Sequence, residues 1–195
     1  MRSKASRSGR RRFLTSRPAE GVFISSDETR ALVISGIPGT GKSCFAQWCA
    51  QHHDFVHVDA ELGGLEAAGL AQAWSAVAHL PPTSVAPFVS VLRALNRSVI
   101  LDWGYPPAFL PLIQALQEAG VVAWWFDGDH GAARQSFTRR GTVSTEAFDL
   151  QMAAIASAWP ELSAFYGSRV VTAIRSDGSF TDPSELFAQI FGADC

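Results

Sequence analysis

Eight consecutive residues have the types and spacing needed to hold the phosphates of a nucleotide. Residues 36–43 read Gly-Ile-Pro-Gly-Thr-Gly-Lys-Ser, which fits the pattern G-x-x-x-x-G-K-[ST] of a phosphate-binding loop. Glycines in such a loop let main-chain N–H groups approach phosphate oxygens closely. The lysine reaches the β- and γ-phosphates, and the last hydroxyl is a hard oxygen ligand suited to Mg²⁺. The motif therefore predicts a site for a nucleoside triphosphate.

The segments on either side of the loop support this interpretation. Residues 31–35 form an apolar run typical of a short buried strand, and residues 44–50 have large apolar residues at helical spacing. A strand, a glycine-rich turn and a helix in this order aim main-chain N–H groups and a helix N-terminus at one phosphate. The residues expected to contact the nucleotide are Gly36, Ile37, Pro38, Gly39, Thr40, Gly41, Lys42, Ser43 and Cys44.

Three aspartates are candidates for the metal and for the base. Asp59, Asp102 and Asp127 each follow a run of β-forming residues directly. The carboxyl ends of parallel strands carry the ligand sites of open α/β sheets. Asp102 fits the pattern of a second metal-site carboxylate, so we assign Mg²⁺ to Ser43 and Asp102. Asp127 fits the same pattern, or it belongs to a turn that caps the next helix.

Two further residues are expected to act in phosphoryl transfer. Lys42, the only lysine beyond residue 4, is a mobile point charge for the transferring group. Asp59 is the candidate general base, because a carboxylate beside the phosphate loop can orient an acceptor hydroxyl and accept its proton. The alternative for Asp59 is a helix cap. Glu61, two residues on, is a candidate for binding acceptor hydroxyls.

Arginines cluster in the segment 131–141. A lid that closes over transferring phosphates needs mobile positive charge, which Arg134 with Arg139 or Arg140 would supply. One of the last two would act as an arginine finger within the chain. The alternative is that these arginines pair with Asp127, Asp129 and Glu146 on the surface.

Strand and helix signals alternate along the chain, which predicts parallel βα units. The strand runs are apolar throughout, as expected for strands covered on both faces. The expected fold is α/β, a three-layer sandwich with a five-stranded parallel sheet, the P-loop NTPase fold. One helix is expected over 65–80, a second is expected to end before Pro160, and Asp182 with Pro183 should start the last.

Composition restricts the partners and the compartment. Seven of the 16 basic residues lie within 1–17, which has no acidic residue, so the remainder carries nine basic against all 18 acidic residues. We expect a disordered basic leader over 1–25 and a P-loop kinase-like domain over 26–195, with nucleic acid an unlikely partner of the acidic body. The longest apolar run, 121–126, is too short to cross a membrane. Three cysteines without ligand spacing predict free thiols in the cytoplasm.

Three segments together resemble the P-loop kinases of the zeta-toxin and polynucleotide-kinase-like type. They are the loop at 36–43, the segment 99–104 and the arginine segment 131–141, within a resemblance that covers about residues 31–140. The resemblance implies ATP as donor, Mg²⁺, a carboxylate base after the second strand, and lid arginines. The acidic body departs from polynucleotide kinases, which usually present more basic surface.

The leading hypothesis is an ATP- and Mg²⁺-dependent kinase that phosphorylates a hydroxyl of an unidentified small molecule. The alternatives are a P-loop ATPase or nucleotide-dependent switch without a phosphoryl acceptor, and a polynucleotide 5′-hydroxyl kinase. Motor ATPases commonly have a glutamate directly after the metal carboxylate, where this chain has Trp103. Trp103 and Tyr105 are candidates for lining the acceptor pocket.

Overall fold

A computed structural model describes residues 30–79, 84–141 and 144–192 of the chain. The expected basic leader, 1–25, lies outside the described residues, and so does Cys195. Among the residues described, no helix has both the length and the apolar character needed to span a bilayer. Cys44 and Cys49 are free thiols, as predicted.

Five strands in the described residues form one sheet. They are β1 (Ala31–Gly36), β2 (Phe55–Asp59), β3 (Ser98–Asp102), β4 (Val122–Gly128) and β5 (Val170–Ile174). Their order is β2-β3-β1-β4-β5, and every neighbouring pair is parallel. The first strand of the described residues therefore lies in the middle of the sheet, and the predicted five-stranded parallel sheet is confirmed.

Helices cover both faces of this sheet. They are α1 (Lys42–His52), α2 (Gly64–Ala67), α3 (Ala71–Ser75), α4 (Ala86–Ala94), α5 (Leu110–Glu118), α6 (His130–Arg140), α7 (Thr145–Tyr166) and α8 (Pro183–Phe191). A short 3₁₀ turn at Pro107–Phe109 precedes α5.

A hydrophobic core lies on each side of the sheet. Leu32 and Ile34 of β1 belong to the core that α1 and α8 cover with Phe45 and Phe187. Val33 belongs to the opposite core, which α4, α5 and α7 cover. Successive side chains of a strand point to opposite faces, so a strand buried on both faces needs an unbroken apolar run. This is the physical reason that the strands were recognisable, and it confirms the three-layer α/β architecture.

The helix expected over 65–80 is instead two short helices, α2 and α3. Gly69 separates them with a φ of 71°. The N–H of Leu70 donates to the carbonyl of Leu65 (2.7 Å) and that of Gly69 to the carbonyl of Glu66 (3.0 Å), the two bonds of a Schellman motif. The left-handed glycine ends α2 within the apparent helical pattern.

The expected end of α7 at Pro160 is also wrong, because the helix continues to Tyr166. Proline cannot donate to the carbonyl of Ala156, but both residues are exposed, so water can bond to that carbonyl. Beyond the proline, Leu162 and Tyr166 are buried in the core, and their burial offsets the cost of the missing bond. The last helix begins as predicted, where Asp182 caps α8 by accepting from the N–H of Ser184 (2.8 Å).

Candidate active site

The phosphate-binding motif forms the turn between β1 and α1, at the carboxyl end of the central strand. Two of its glycines are required by close packing. A Cβ on Gly36 would lie 2.0 Å from the carbonyl oxygen of Phe126, and one on Gly39 would lie 2.2 Å from that of Ala133. The N–H of Ile37 donates to the carbonyl of Phe126 (3.1 Å). Contacts with β4 and α6 therefore hold the loop in place.

Lys42 is the first residue of α1, and its side chain turns back over the loop. Its Nζ donates to the carbonyl oxygens of Ile37 (3.0 Å) and Gly36 (3.3 Å). Burial lowers the pKa of Lys42, and the nearby carboxylates of Asp102 and Glu61 oppose this shift. A bound phosphate next to the ammonium would favour its charged form further.

The N-terminus of α1 faces the same space. The N-cap residue is Gly41, in the left-handed conformation (φ 83°), and no side chain of the described residues caps the helix. Its first-turn N–H groups are therefore free for an anion. Thr40 braces the loop from inside, since its buried hydroxyl donates to the carbonyl of Ile37 (2.9 Å). Ser43 lies in the first turn, with its side chain lining the cleft described below.

One cleft collects most of the predicted site residues, and its volume is about 200 Å³. Its lining comes from the loop, from the ends of β2 and β3, and from the facing sides of α6 and α7. The lining residues are Pro38, Gly39, Gly41, Lys42, Ser43, Asp59, Glu61, Leu62, Asp102, Gly104, Phe137, Arg140, Ala147 and Gln151.

Asp59 and Asp102 enter this cleft from neighbouring strands, but their surroundings differ. The Oδ1 atom of Asp59 accepts hydrogen bonds from the N–H groups of Glu61 and Leu62, both at 2.8 Å. Asp102 is only 5% exposed, and its Oδ2 lies 3.5 Å from Nε2 of His57. The main chain thus fixes the first carboxylate, and burial beside an imidazole restricts the second.

Asp127 lies outside the cleft, in a separate cavity between β4 and α7. Its Oδ1 accepts from the N–H of Gly128 (2.9 Å), and Nε2 of His130 lies 3.7 Å away. Asp129 caps α6 by accepting from the N–H of Ala132 (2.8 Å). This geometry agrees with the alternative in which 127–129 is a capping turn.

The three arginines of α6 lie in two different places. Arg140 lines the cleft and is close enough to Lys42 to contribute to lowering its pKa. Arg134 and Arg139 line a groove on the outer surface of α6. Arg134 binds Asp149 through two hydrogen bonds of 3.0 Å, and this carboxylate raises the pKa of Arg134. Arg134 thus pairs on the surface, as in the alternative, but its partner is Asp149 and none of the expected residues. Arg140 lines the cleft with the phosphate loop.

Glu61 lies at the rim of the cleft beside the end of β3. Its Oε1 accepts from the N–H of Gly104 (3.2 Å). Although Glu61 is an exposed residue, partial burial of its carboxyl raises its pKa; Lys42 opposes this shift, and Asp102 and Asp59 add to it. The charged form of Glu61 is thus less favoured than that of a free glutamate.

The expectation that Trp103 and Tyr105 line an acceptor pocket is wrong. Trp103 is 9% exposed and Tyr105 is 2% exposed, and both belong to the hydrophobic core. The hydroxyl of Tyr105 lies 3.0 Å from that of Tyr166, so its polar end is satisfied inside the protein. Burial of a large aromatic side chain stabilises the folded protein, and both rings are packed in the hydrophobic core.

Two lining residues from α7, Ala147 and Gln151, carried no sequence signal for a site. They are four residues apart and therefore share one face of the helix. The amide of Gln151 donates to the carbonyl of Gly104 (3.2 Å). Their helical spacing was visible, but nothing in the pattern indicated that this face meets the ends of the strands.

The residues at the predicted metal position fit Mg²⁺ in chemical type. Ser43 and Asp102 offer hard oxygen ligands and line the cleft together. Among the described residues no group of three or more His, Cys, Asp or Glu is arranged to hold a metal ion. Magnesium is usually held by one or two carboxylates, water and substrate phosphates, so this pair suits an ion that arrives with a nucleotide.

No protein-family model and no curated protein matches the sequence. Among solved structures, a shikimate kinase from Bacteroides thetaiotaomicron aligns with a TM-score of 0.48 at 12% identity, over 83% of this chain and 94% of that chain. A gluconokinase from Sinorhizobium meliloti 1021 aligns with a TM-score of 0.43 at 12% identity, over 82% of this chain and 88% of that chain. The fold class follows from the sheet and its loop rather than from these similarities.

Proposed function

We propose that the protein is a kinase that transfers the γ-phosphoryl group of ATP to a hydroxyl of a small molecule, with Mg²⁺. One observation supports this most strongly: the phosphate loop with Lys42, the two strand-end carboxylates Asp59 and Asp102, and Arg140 all line one cleft. These are the parts that phosphoryl transfer needs, namely a phosphate cradle, a metal carboxylate, a base and a mobile cation.

The loop binds the triphosphate through its main-chain N–H groups and the N-terminus of α1. Lys42 moves from the loop carbonyls to the β- and γ-phosphates. Ser43 and Asp102 would hold Mg²⁺, Asp102 through water. When bound, the ion neutralises charge on the phosphate oxygens.

Asp59 acts on the acceptor. Two main-chain N–H groups fix its Oδ1, and Oδ2 has no hydrogen bond among the described residues, so Oδ2 is free to accept from a hydroxyl. The acceptor oxygen forms a bond to the γ-phosphorus as the bond from phosphorus to the bridging β-phosphate oxygen breaks. The hydroxyl proton passes to Asp59, ADP leaves, and the proton is then lost to water.

Arg140 stabilises the charge on the transferring group. It is the last residue of α6, directly before Gly141, which ends the helix in the left-handed conformation (φ 65°). Its side chain is exposed, so it can follow the phosphoryl group without the cost of leaving a packed core. An arginine in this role acts where charge develops in the transition state.

The base of the nucleotide lies in a cavity that adjoins the end of the loop. Gly41, Cys44 and Phe180 are among the residues that line it. The ring of Phe180 is 45% exposed, and a Cβ on Gly41 would lie 3.1 Å from it. An exposed aromatic ring this close to the phosphate loop offers a stacking surface to a purine.

Calorimetry with ATP and Mg²⁺ tests nucleotide binding, and ADP release measures turnover. We expect the wild type to bind ATP. We expect turnover of Lys42→Ala to fall by about 10²-fold or more, the usual loss when a donor aimed at developing charge is removed. Lys4→Ala, which changes the only other lysine, is the matched control. Equal behaviour of the two variants would refute the site. ADP release that no hydroxyl compound accelerates would indicate an ATPase instead.

A further inference from the structure

The charges around the cleft restrict the acceptor. The cations that line it are Lys42 and Arg140, and the proposed transfer uses both for phosphate. No other lysine or arginine of the described residues lines the cleft, and the internal segments outside those residues, 80–83 and 142–143, have no charged residue in the sequence. Among the described residues, an acceptor with its own carboxylate or phosphate would therefore meet no cation reserved for it.

Glu61 is a cleft carboxylate that the proposed transfer does not use. It makes no ion pair with a lysine, arginine or histidine of the described residues, and its Oε1 bonds to the N–H of Gly104 (3.2 Å). Burial raises the pKa of this side chain; Lys42 opposes the shift, and Asp102 and Asp59 add to it. A cation brought by a ligand would relieve both the desolvation and the repulsion between carboxylates.

Part of the cleft lining is apolar. Leu62 follows Glu61 directly, is 84% exposed and lines the cleft. Phe137 of α6 and Ala147 of α7 also line it. A large exposed apolar side chain beside an acid suits a ligand that is itself part apolar and part charged.

We propose that the phosphoryl acceptor is a hydroxylated amine whose ammonium group pairs with Glu61 while its hydroxyl lies against Asp59. The carbon skeleton between these two groups packs against Leu62 and Phe137. This inference rests on the proposed kinase function and names its substrate class. It excludes hydroxy acids and sugar phosphates as preferred acceptors.

A purely structural role is the competing explanation of Glu61, because its bond to Gly104 positions the loop after β3. The amide of Gln151 holds the same residue through its carbonyl (3.2 Å). If Glu61 only positions this loop, its replacement should affect all acceptors alike. If Glu61 pairs with the ammonium group, its replacement should affect the amines selectively.

The experiment compares three matched acceptor pools with the full-length protein, ATP and Mg²⁺, and measures ADP release and phosphorylated product. The first pool is ethanolamine, phenylalaninol and glucosamine, the second their N-acetyl derivatives, and the third glycolate, phenyllactate and gluconate. We expect kcat/KM for the amines to exceed that of the other pools by about tenfold or more, as for one charge-assisted hydrogen bond. An equal or better second or third pool overturns the proposal, and so does an amine pool without effect.

Glu61→Gln sharpens the comparison, since glutamine retains an oxygen that can accept from the N–H of Gly104. We expect kcat/KM for the amines to fall about tenfold, mainly through KM, and that for the N-acetyl derivatives to change far less. An equal loss for both pools would show that Glu61 only positions the loop after β3, and would overturn the proposal. Phosphorylation of the hydroxy acids would leave the kinase function intact and remove only this inference, whereas failure to bind ATP removes both.

Discussion

Asp59 and Asp102 are register partners on the parallel pair β2 and β3. Neighbouring strands lie about 4.8 Å apart, so the two carboxylates leave the same edge of the sheet side by side. The N–H of Ala60 donates to the main-chain carbonyl of Asp102 (3.0 Å), which keeps the two strand ends together. Main-chain N–H groups fix the carboxylate of Asp59, and burial restricts that of Asp102. These two aspartates on neighbouring strands therefore suit different roles.

Replacing Asp59 by asparagine removes the proposed base and preserves the turn. Asparagine keeps an oxygen that can accept from the N–H groups of Glu61 and Leu62. We expect turnover to fall by about 10²- to 10⁴-fold, with the KM for ATP close to that of the wild type. ADP release at saturating acceptor measures it. Asp54→Asn, at an exposed pair with Arg97, is the control, and equal turnover of the two variants would exclude Asp59 as the base.

The metal assignment predicts different magnesium requirements for two aspartate variants. Asp102→Asn should raise the Mg²⁺ concentration needed for half-maximal activity by roughly 10- to 100-fold, as for other groups that hold a metal through water. Asp127→Asn should leave it near the wild-type value, because Asp127 lines another cavity. Magnesium titrations of the initial rate decide the matter, and a reversed order would assign the metal to Asp127.

Adjacent arginines should differ in their effect on turnover. Arg140→Ala is expected to lose about 10³-fold in kcat, the lower range for an arginine that stabilises transferring phosphate. Arg139→Ala removes the same charge from the outer groove of α6 and should retain most of the turnover. Single-turnover rates with saturating ATP separate this loss from weaker binding. A larger loss in Arg139→Ala would show that Arg139 is the arginine that stabilises the transferring phosphate.

Glu61 should make the stability of the nucleotide-free protein depend on pH. Its pKa is raised above 4.5 in the folded state, so the folded protein holds this proton more tightly than the unfolded chain. Stability from Glu61 is therefore present at low pH and lost as the pH rises through the folded pKa. The Tm of Glu61→Gln should exceed that of the wild type by an amount that grows as the pH rises above about 4.

The control for this pH series is Glu66→Gln, at an exposed position of α2. Thermal melts of the three proteins in the same buffers give the comparison. If the difference between Glu61→Gln and the wild type stays constant with pH, the carboxylate is not desolvated in the folded protein.

Phe180 should contribute to binding of the purine of ATP but not of its phosphates. Stacking of a base on an aromatic ring contributes about 1–3 kcal/mol, so Phe180→Ala should weaken ATP binding roughly tenfold. Binding of inorganic triphosphate, which has no base, should be unaffected. Calorimetry with both ligands makes the comparison, and parallel losses would place Phe180 at the phosphates.

Much of the architecture follows from local patterns. A strand buried on both faces must be apolar at every position, which made the run ending at Asp102 recognisable. The phosphate loop follows from steric constraints that only glycine satisfies, as the contacts of Gly36 and Gly39 show. The end of α2 was missed because a glycine such as Gly69, which can adopt a positive φ, gives no distinctive signal within an alanine-rich segment.

The composition of the cleft was decided by tertiary structure. Asp102 is the last residue of β3 and Asp127 the last but one of β4. However, β3 and β4 lie on opposite sides of β1, and strand order is a long-range property of the chain. Arg139 and Arg140 are neighbours in sequence, yet successive residues of a helix point about 100° apart, so only the packing of α6 selects which one faces the loop. The sequence by itself thus determined which chemical groups are present and where strands and the loop begin. Side-chain direction depends on contacts between distant segments, so the folded chain alone determined which of those groups meet.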